Sequence, residues 1–253
     1  MEENNGQTYN IDTPEQLINT SDYHALNDKK GMSSSLEATL FSFVGKTQYG
    51  AMAQVSYDNQ KSDGASTGIY QYLQNGTSQT DHQTFQTPIH NLNAELGLGI
   101  SRPLGKQLMV SAEWRTTYLN SYHDEQRRRA DTLDLANSLK RKDKTWQNMF
   151  GINANITYGK FHLSPNFQIT HWHEQTNYQR GNILDTIATR SQLLCKPSLR
   201  LTYKLKKQTQ LRGNIVYESQ RPDLVDCIGY WDDTNPLWVI DGNPHLKTSH
   251  TLS

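Results

Sequence analysis

The sequence has little of the apolar material from which a soluble core is built. Only 34% of its 253 residues are hydrophobic, and no run approaches the ~18 consecutive apolar residues of a membrane-spanning helix. The net charge is zero, which argues against a nucleic-acid-binding protein. A disordered chain is excluded as well, because 13 Tyr and 5 Trp are present and uncharged polar residues make up the hydrophobic deficit. The aromatic side chains must therefore serve something other than a thick core.

Cysteine is nearly absent, and the usual motifs of metal and redox chemistry are absent with it. Cys195 and Cys227 form no Cys-x-x-Cys motif and no Cys/His cluster, so we expect two plain thiols. Gly97 and Gly99 lie within a strand pattern and lack the following helix of a dinucleotide-binding motif. The spacing indicates no Ser/His/Asp, Cys/His or paired-carboxylate arrangement. We therefore expect neither an enzyme nor a cofactor.

Alternation of apolar and polar residues with a period of two is the dominant pattern, and it predicts long β-strands. Residues 92–100 and 108–118 each place every second side chain on an apolar face, while Glu113 and Arg115 lie on the opposite face. These two runs predict one hairpin. The same pattern recurs over residues 36–57, 146–169 and 193–217, which predicts four hairpins in all, and a ninth strand begins near Lys247.

The connections predicted between these strands alternate between short and long. Turns within the hairpins are tight, whereas the segments between hairpins are long: residues 61–90, 123–144, 180–190 and 220–246. Outer-membrane barrels have this asymmetry, and the polar face suits a water-filled lumen. We therefore expect an all-β, antiparallel up-and-down transmembrane β-barrel. Nine strands do not close such a barrel, because single-chain bacterial barrels have an even number, so we expect it to be partial.

Aromatic residues lie where the borders of an apolar band would fall. Trp146 and Tyr158 bracket one predicted strand, and residues 146–158 would span roughly 30 Å at ~3.3 Å per residue and ~40° tilt. That is enough to cross the ~25 Å apolar band of outer-membrane barrels.

A succession of motifs follows the last predicted hairpin. A strand end is followed by a proline-containing loop, an Asp-x-x-Asn-Pro-Leu stretch and a Gly-Asn-Pro-x-Leu-Lys turn. The positions are Tyr217, Ser219, Pro222, Asp232, Asn235, Pro236, Leu237, Gly242, Asn243, Pro244, Leu246 and Lys247. This succession resembles a segment of the outer-membrane β-barrel domain of Bacteroidetes-type TonB-dependent-receptor-like proteins. Thr248 departs from the family pattern, which commonly has Pro there.

The resemblance implies a Gram-negative outer-membrane protein that takes part in nutrient uptake. Full-length members of the family have a signal peptide, a periplasmic N-terminal domain, a plug and a barrel of about 22 strands, and none of the first three is visible here. We therefore expect residues 1–253 to be a fragment of the barrel domain, with residues 1–35 as an irregular lead-in and residues 36–253 as hairpins with long extracellular loops. Its expected partners are outer-membrane lipid and, only through N-terminal regions that it lacks, the TonB complex. The substrate is left open.

Two groups of residues near the C-terminus are candidate sites. Asn235–Leu237 and Gly242–Pro244 are expected to be structural, because Gly, Asn and Pro together redirect a loop into a strand. Tyr230, Trp231 and Trp238 are candidates for ligand binding, because aromatic loop residues stack on sugars and other flat ligands.

His171 and His173 share one face of a predicted strand at a spacing that suits a metal ion. No third ligand is indicated, so the favoured interpretation places both at the polar border above Ile169. The basic residues within 123–144 are expected to lie in a solvated extracellular loop. An alternative role for them is contact with anionic lipopolysaccharide or an acidic substrate.

Two other classes of protein remain open. A soluble, secreted β-sandwich that binds carbohydrate would bury its apolar face against a second sheet and would mix its loop lengths. A small complete porin-like or structural barrel would have an even number of strands and close its last strand on its first. One continuous apolar band on a single sheet would instead favour the partial barrel.

Overall fold

A computed structural model describes the chain over residues 2–13, 16–72, 76–182, 184–206, 209–229, 231–232 and 240–253. The regular structure in these ranges is almost entirely β-strand. The strands are β1 (Glu2–Thr13), β2 (Gln16–Val44), β3 (Thr47–Tyr72), β4 (Thr77–Pro103), β5 (Leu108–Arg129), β6 (Thr132–Leu133), β7 (Leu139–Tyr158), β8 (Phe161–Arg180), β9 (Leu184–Lys206), β10 (Thr209–Gln220), β11 (Trp231–Asp232), β12 (Ile240–Asp241) and β13 (Ser249–Leu252). A short 3-10 turn lies at Val225–Cys227, and no helix in the described ranges is long and apolar enough to span a membrane.

Ten of the strands follow one another in a single antiparallel sheet. Their order is β1-β2-β3-β4-β5-β7-β8-β9-β10-β13, with β6 paired to β5 and a separate pair formed by β11 and β12. Within the described residues the two outermost strands, β1 and β13, do not pair with each other, so the sheet is open. The predicted fold class, an all-β up-and-down antiparallel sheet with the architecture of an unclosed β-barrel, is confirmed. The strand beyond the predicted nine is β1.

Strand register brings the predicted apolar residues of neighbouring strands opposite one another. Because side chains alternate between faces, residues paired across the sheet share a face. One such row runs from β2 to β9 and consists of Leu40, Ala51, Leu98, Trp114, Phe150, Ile169 and Cys195. The next row consists of Ser42, Tyr49, Ile100, Ala112, Ile152, Phe167 and Pro197. These rows form one continuous apolar face.

No second layer covers the apolar face in the described part of the chain. Leu98, Trp146 and Phe150 are 50%, 48% and 47% exposed. The buried hydrophobic residues are instead Met149, Tyr178, Leu224, Val225 and Ile228, which belong to the opposite face or to the segment packed on it. A soluble β-sandwich needs a second sheet on its apolar face. The described residues leave that face uncovered.

Aromatic pairs mark both ends of the apolar face. At one end the ring centroids of Tyr118 and Trp146 lie 5.5 Å apart, and at the other those of Phe161 and Tyr203 lie 4.6 Å apart. Tyr158 is paired with Phe161 across β7 and β8. Amphipathic rings in two bands are typical of the borders between lipid and water in transmembrane barrels.

The strands run well past the Tyr118–Trp146 border. This corrects the prediction of long loops between the hairpins and the prediction of an irregular lead-in. Within the predicted loop at residues 61–90, β3 continues to Tyr72 and β4 begins at Thr77. Residues 180–190 are also mostly strand, and 123–144 is interrupted only between β5 and β7. The predicted irregular lead-in at residues 1–35 contains β1 and the first half of β2. In its described part, the predicted connection that follows β10 contains a 3-10 turn and the short strands β11 and β12.

The physical reason is that both faces of these extensions are polar. Apolar alternation is the signal for a strand, and it vanishes where water contacts both sides. The pairing is nevertheless supported across strands, since the Ser62 hydroxyl donates to Asn27 Oδ1 at 2.7 Å and the Ser121 hydroxyl donates to Asn91 Oδ1 at 2.6 Å.

The register can be tested with cysteine pairs in a Cys195→Ser/Cys227→Ser background. Ala112 pairs directly with Ile152, so Ala112→Cys/Ile152→Cys is expected to form a disulfide under mild oxidation. Directly opposed Cβ atoms lie ~4.5–5.5 Å apart, close to disulfide distance, whereas diagonal ones lie ~7–8 Å apart. Ala112→Cys/Ala154→Cys is the matched control and should cross-link poorly on a non-reducing gel. More efficient cross-linking of the control pair would show a different register.

Candidate functional site on the polar wall

The face opposite the apolar rows, hereafter the polar wall, carries charged side chains that are mostly paired. It comprises alternate positions such as Glu95, Arg115, Gln168 and Lys196. Arg115 Nε lies 3.4 Å from Glu95, and Lys196 Nζ lies 2.6 Å from Glu218. The wall is therefore hydrophilic, and each of these two cations is matched by a carboxylate.

Part of the connection after β10 folds back onto this wall. Residues 221–229, hereafter the docked segment, contain the 3-10 turn, in which Ile228 N donates to Val225 O at 2.9 Å. Val225 and Ile228 are buried and pack against Tyr178, with Leu139, Leu184 and Ala188 around them. Apolar burial therefore holds the docked segment against β7, β8 and β9.

Glu174 is the electrostatic centre of this attachment. Its buried carboxylate accepts a hydrogen bond from Arg190 Nη2 at 2.9 Å and forms an ion pair with Arg221. The Arg221 guanidinium lies 3.7 Å from the centroid of the Trp172 ring, where a cation–π interaction adds to the ion pair. Arg190 also donates to the Pro222 carbonyl at 2.7 Å. One carboxylate thus joins β8 and β9 to the docked segment.

A second ionic contact lies on β7. Arg141 Nη2 is 3.4 Å from Asp223 Oδ1, and the guanidinium also pairs with Asp143. Burial on its own would lower the pKa of Arg141, but the carboxylates of Asp143 and Asp223 outweigh it and raise that pKa, so the side chain stays charged. On the far side, Asn243 N donates to Asp226 O at 2.8 Å and ties the following turn to the docked segment.

Glu125 on β5 has a perturbed pKa near the same end of the wall. Burial would raise the pKa of this carboxyl, but a hydrogen bond from His123 and the charge of Arg127 together hold it below its ordinary value of 4.5. His123 Nε2 lies 3.4 Å from Glu125 Oε2. Glu125 is therefore an anion that the fold stabilises.

The predicted ligand-binding aromatics lie largely outside the described residues. Tyr230 and Trp238 are outside them, as is the Asn235–Leu237 stretch. Trp231 lies in β11, where its backbone pairs with Asp241. Their roles in ligand binding and in the turn stay predictions.

The Gly242–Pro244 turn lies within the residues that the structure describes. Asn243 Oδ1 accepts from His245 N at 2.9 Å, and its carbonyl accepts from Leu246 N at 3.1 Å, which bends the chain before β13. β13 begins at Ser249, slightly later than the predicted start near Lys247. This geometry is what the predicted structural role requires, and the role itself stays a prediction.

His171 and His173 lie on the same face as Ile169. His171 Nε2 is 2.9 Å from the Ser191 hydroxyl, and His173 is paired with Trp146 across the sheet. The part of the chain that the structure describes contains no group of three or more His, Cys, Asp or Glu side chains placed to hold a metal ion. His171 and His173 are therefore the two candidate ligands for a metal ion, and no third is found among the described residues.

The basic residues predicted to share one loop are divided between the two faces. Arg127 and Arg129 lie on the polar wall, where Arg127 pairs with Glu125 and Arg129 Nε lies 2.9 Å from Asp81. Lys140, Lys142 and Lys144 lie on the other face, in line with Trp146. Their every-second-residue spacing is the sequence signal that would have predicted this division.

The docked segment should loosen when Glu174 is neutralised. Glu174→Gln leaves two arginines without their carboxylate, and loss of a charged hydrogen-bond partner costs about 1.5–3 kcal/mol, or roughly 10- to 100-fold in opening. Hydrogen–deuterium exchange of peptides covering residues 221–229 measures this. Glu113→Gln is the matched control, because Glu113 is an exposed wall carboxylate with no ion pair among the described residues. Equal loosening in both variants would contradict the role of Glu174.

Acid should remove the contribution of Glu125 to stability. A carboxyl whose pKa is lowered by folding stabilises the protein above its unfolded pKa, and this contribution is lost as pH falls through the folded value. The difference in urea midpoint between the wild type and Glu125→Gln is therefore expected to be largest above the ordinary pKa of 4.5 and to shrink below it. A difference that stays constant with pH would contradict this assignment.

No protein-family model and no curated protein sequence matches the chain. Among solved structures, the ferric yersiniabactin uptake receptor FyuA from Yersinia pestis matches 87% of this chain and 45% of its own length, with a TM-score of 0.50 and 7% identity. The ferric citrate transporter FecA in its unliganded form matches 85% of this chain and 43% of its own, with a TM-score of 0.45 and 13% identity.

The alcaligin outer membrane receptor FauA from Bordetella pertussis matches 81% of this chain and 39% of its own length, with a TM-score of 0.45 and 10% identity. The chain thus spans less than half the length of each of these three proteins. At such low identity the likeness shows the fold alone: the chain has the antiparallel β architecture of part of the uptake receptor FyuA.

Proposed function

We propose that the chain is part of the outer-membrane β-barrel of a TonB-dependent-receptor-like protein that takes up a nutrient. The observation that carries the proposal is the uncovered apolar face, which is continuous from β2 to β10 and bordered by aromatic side chains at both ends. An apolar face of this extent needs an apolar environment, because a monomeric soluble protein rarely exposes a patch of more than a few hundred Å². Lipid on one face and water on the polar wall satisfy both faces.

The shape of the strand ends supports an orientation in the membrane. Tight turns at Gly45–Lys46, Leu104–Gln107 and Gly159–Lys160 follow the apolar face directly at one end. At the other end the strands extend far past the aromatic border. Outer-membrane barrels have short periplasmic turns and longer extracellular connections. We therefore propose that the tight turns face the periplasm.

Charge just beyond the border supports the same orientation. Lys140, Lys142 and Lys144 are exposed and follow one another on the lipid-side face directly above Trp146. The acidic residue directly opposite them is Asp124, which pairs with Lys140 and accepts a hydrogen bond from Tyr122 at 2.8 Å. This leaves an excess of positive charge, which in the proposed orientation would lie at the height of the phosphate groups of the outer leaflet. Lysines at this height anchor a barrel at its lipid border.

A role in uptake is supported by the polar wall and the docked segment. The wall would line an aqueous lumen, and residues 221–229 would lie across part of it on the extracellular side. The matched receptor FyuA is described as an uptake receptor for ferric yersiniabactin, which is consistent with this role but names no substrate here. Energy would come from the TonB complex through regions outside this chain. The motifs from Tyr217 to Lys247 support the Bacteroidetes-type family, and no enzyme activity is proposed.

Cysteine accessibility tests the location and the orientation together. In a Cys195→Ser/Cys227→Ser background, single cysteines are placed at Leu135, Lys160 and Ile152, and cells that produce the whole protein are treated with a membrane-impermeant maleimide. Leu135→Cys is expected to react in intact cells, and Lys160→Cys only after the outer membrane is permeabilised. Ile152→Cys should stay unlabelled in both, although the Ile152 side chain is 44% exposed in the protein alone, because lipid covers it.

Denaturation supplies the control, since all three cysteines should react in urea with detergent. Labelling of Ile152→Cys in intact cells at the rate of Leu135→Cys would place the apolar face in water and refute the membrane location. Labelling of Lys160→Cys in intact cells would show that the orientation is the opposite of the one proposed.

A further inference from the structure

At the tight-turn end of the polar wall, three neighbouring cations have no acidic partner among the described residues. Arg200, Lys204 and Arg212 form no ion pair with any carboxylate in the described part of the chain. Several cations elsewhere on the wall are paired with carboxylates. Examples are Arg115 with Glu95, Arg141 with Asp143, Arg190 with Glu174 and Lys196 with Glu218.

The three side chains border one cavity. Its volume is ≈ 840 Å³, and its lining includes Arg200, Lys204, Arg212, His162 and Asn214, with Lys160 of the adjoining turn as a fourth cation. None of the residues that line it is acidic. The volume lies within the range of small-molecule sites, ~300–1,000 Å³.

Strand pairing places the two arginines within reach of one ligand. Arg200 is opposite Asn214, and Arg212 is opposite Thr202, so the two arginines are diagonal neighbours on β9 and β10. Diagonal Cβ atoms lie ~7–8 Å apart, and long side chains bridge that distance. Guanidinium groups bind carboxylate and phosphate oxygens in a two-pronged geometry, which suits a ligand held between them.

The uncharged polar side chains beside the cations form hydrogen bonds with one another. Ser164 Oγ donates to Asn155 Oδ1 at 2.9 Å and lies 3.2 Å from His162 Nε2, while Thr157 Oγ1 lies 3.0 Å from His162 Nδ1. The Arg212 guanidinium lies against the neutral side-chain amide of Gln210. Neutral partners leave the positive charges uncompensated, so their mutual repulsion remains until an anion enters.

We propose that this cavity binds a ligand that carries at least two carboxylate or phosphate groups. Such an anion would replace the missing carboxylates and bridge Arg200 and Arg212, with Lys204 beside them. The ligand is either a dissolved polyanion that passes along the wall or a pair of acidic side chains on a polypeptide segment that lies against it. Binding at this cavity depends on the charge of the polar wall and does not require that the apolar face lies in lipid.

Inorganic pyrophosphate is the probe for the shared chemistry. Equilibrium dialysis with the whole protein purified in detergent is expected to show saturable binding that weakens as ionic strength rises. Arg200→Gln and Arg212→Gln should each weaken it by about tenfold or more, as expected for loss of a charge-assisted hydrogen bond, and Arg200→Lys should weaken it less, because the charge remains.

Lys196→Gln is the matched control. It removes one positive charge from the same strand and wall as Arg200→Gln, but Lys196 is paired with Glu218 and does not line the cavity. Binding within about twofold of the wild type is expected for this variant. A loss equal to that of Arg200→Gln would show general charge attraction and overturn the site, as would the absence of saturable binding by the wild-type protein.

A tetra-aspartate peptide distinguishes the two sources of the anion. Displacement of pyrophosphate by the peptide at equal or lower concentration would assign the site to an acidic polypeptide segment. Binding of pyrophosphate that the peptide does not displace would assign it to a dissolved polyanion. If neither binds, the proposal is wrong, while the cysteine accessibility of Ile152→Cys still decides the membrane location independently.

Discussion

Strand register is the constraint on which both faces of the sheet depend. Side chains alternate strictly along a strand, so a slip of one residue would exchange the two faces of that strand. A slip in β5, for instance, would bring Glu113 or Arg115, depending on its direction, into the position that Trp114 now holds between Leu98 and Phe150. The apolar rows therefore hold only because every neighbouring pair from β2 to β9 keeps the same pairing.

The distribution of apolar burial is the reverse of that in a soluble protein. The large apolar side chains lie exposed on one face, and the small buried cluster lies on the other, where Val225 and Ile228 meet Tyr178. Backbone pairing over long strands supplies the order that a core would supply elsewhere. Strand pairing alone gives a single layer. The docked segment adds a second layer on part of the polar wall, held by apolar contacts and by the carboxylate of Glu174.

The charged side chains of the polar wall differ between the two ends of the strands. Above the Tyr118–Trp146 border, Glu125, Arg127 and Arg141 belong to paired groups that hold the extended strands and the docked segment together. At the tight-turn end, Arg200 and Arg212 have no such partners among the described residues. The first group stabilises this chain, and the second presents charge to something outside it. The two ends of one wall thus serve different purposes.

The sequence by itself determined the apolar face and its strands, because period-two alternation persists wherever one side of a strand meets an apolar environment, as from Leu92 to Ile100. It did not predict the extensions to Tyr72 and from Thr77, since water on both faces erases that signal while the hydrogen-bonded ladder continues. Only the tertiary structure joined Glu174, Arg190 and Arg221, which come from two strands and a distant connection. Contacts of this kind depend on which strands become neighbours and on where a connection folds back, and alternation along the chain carries no information about either.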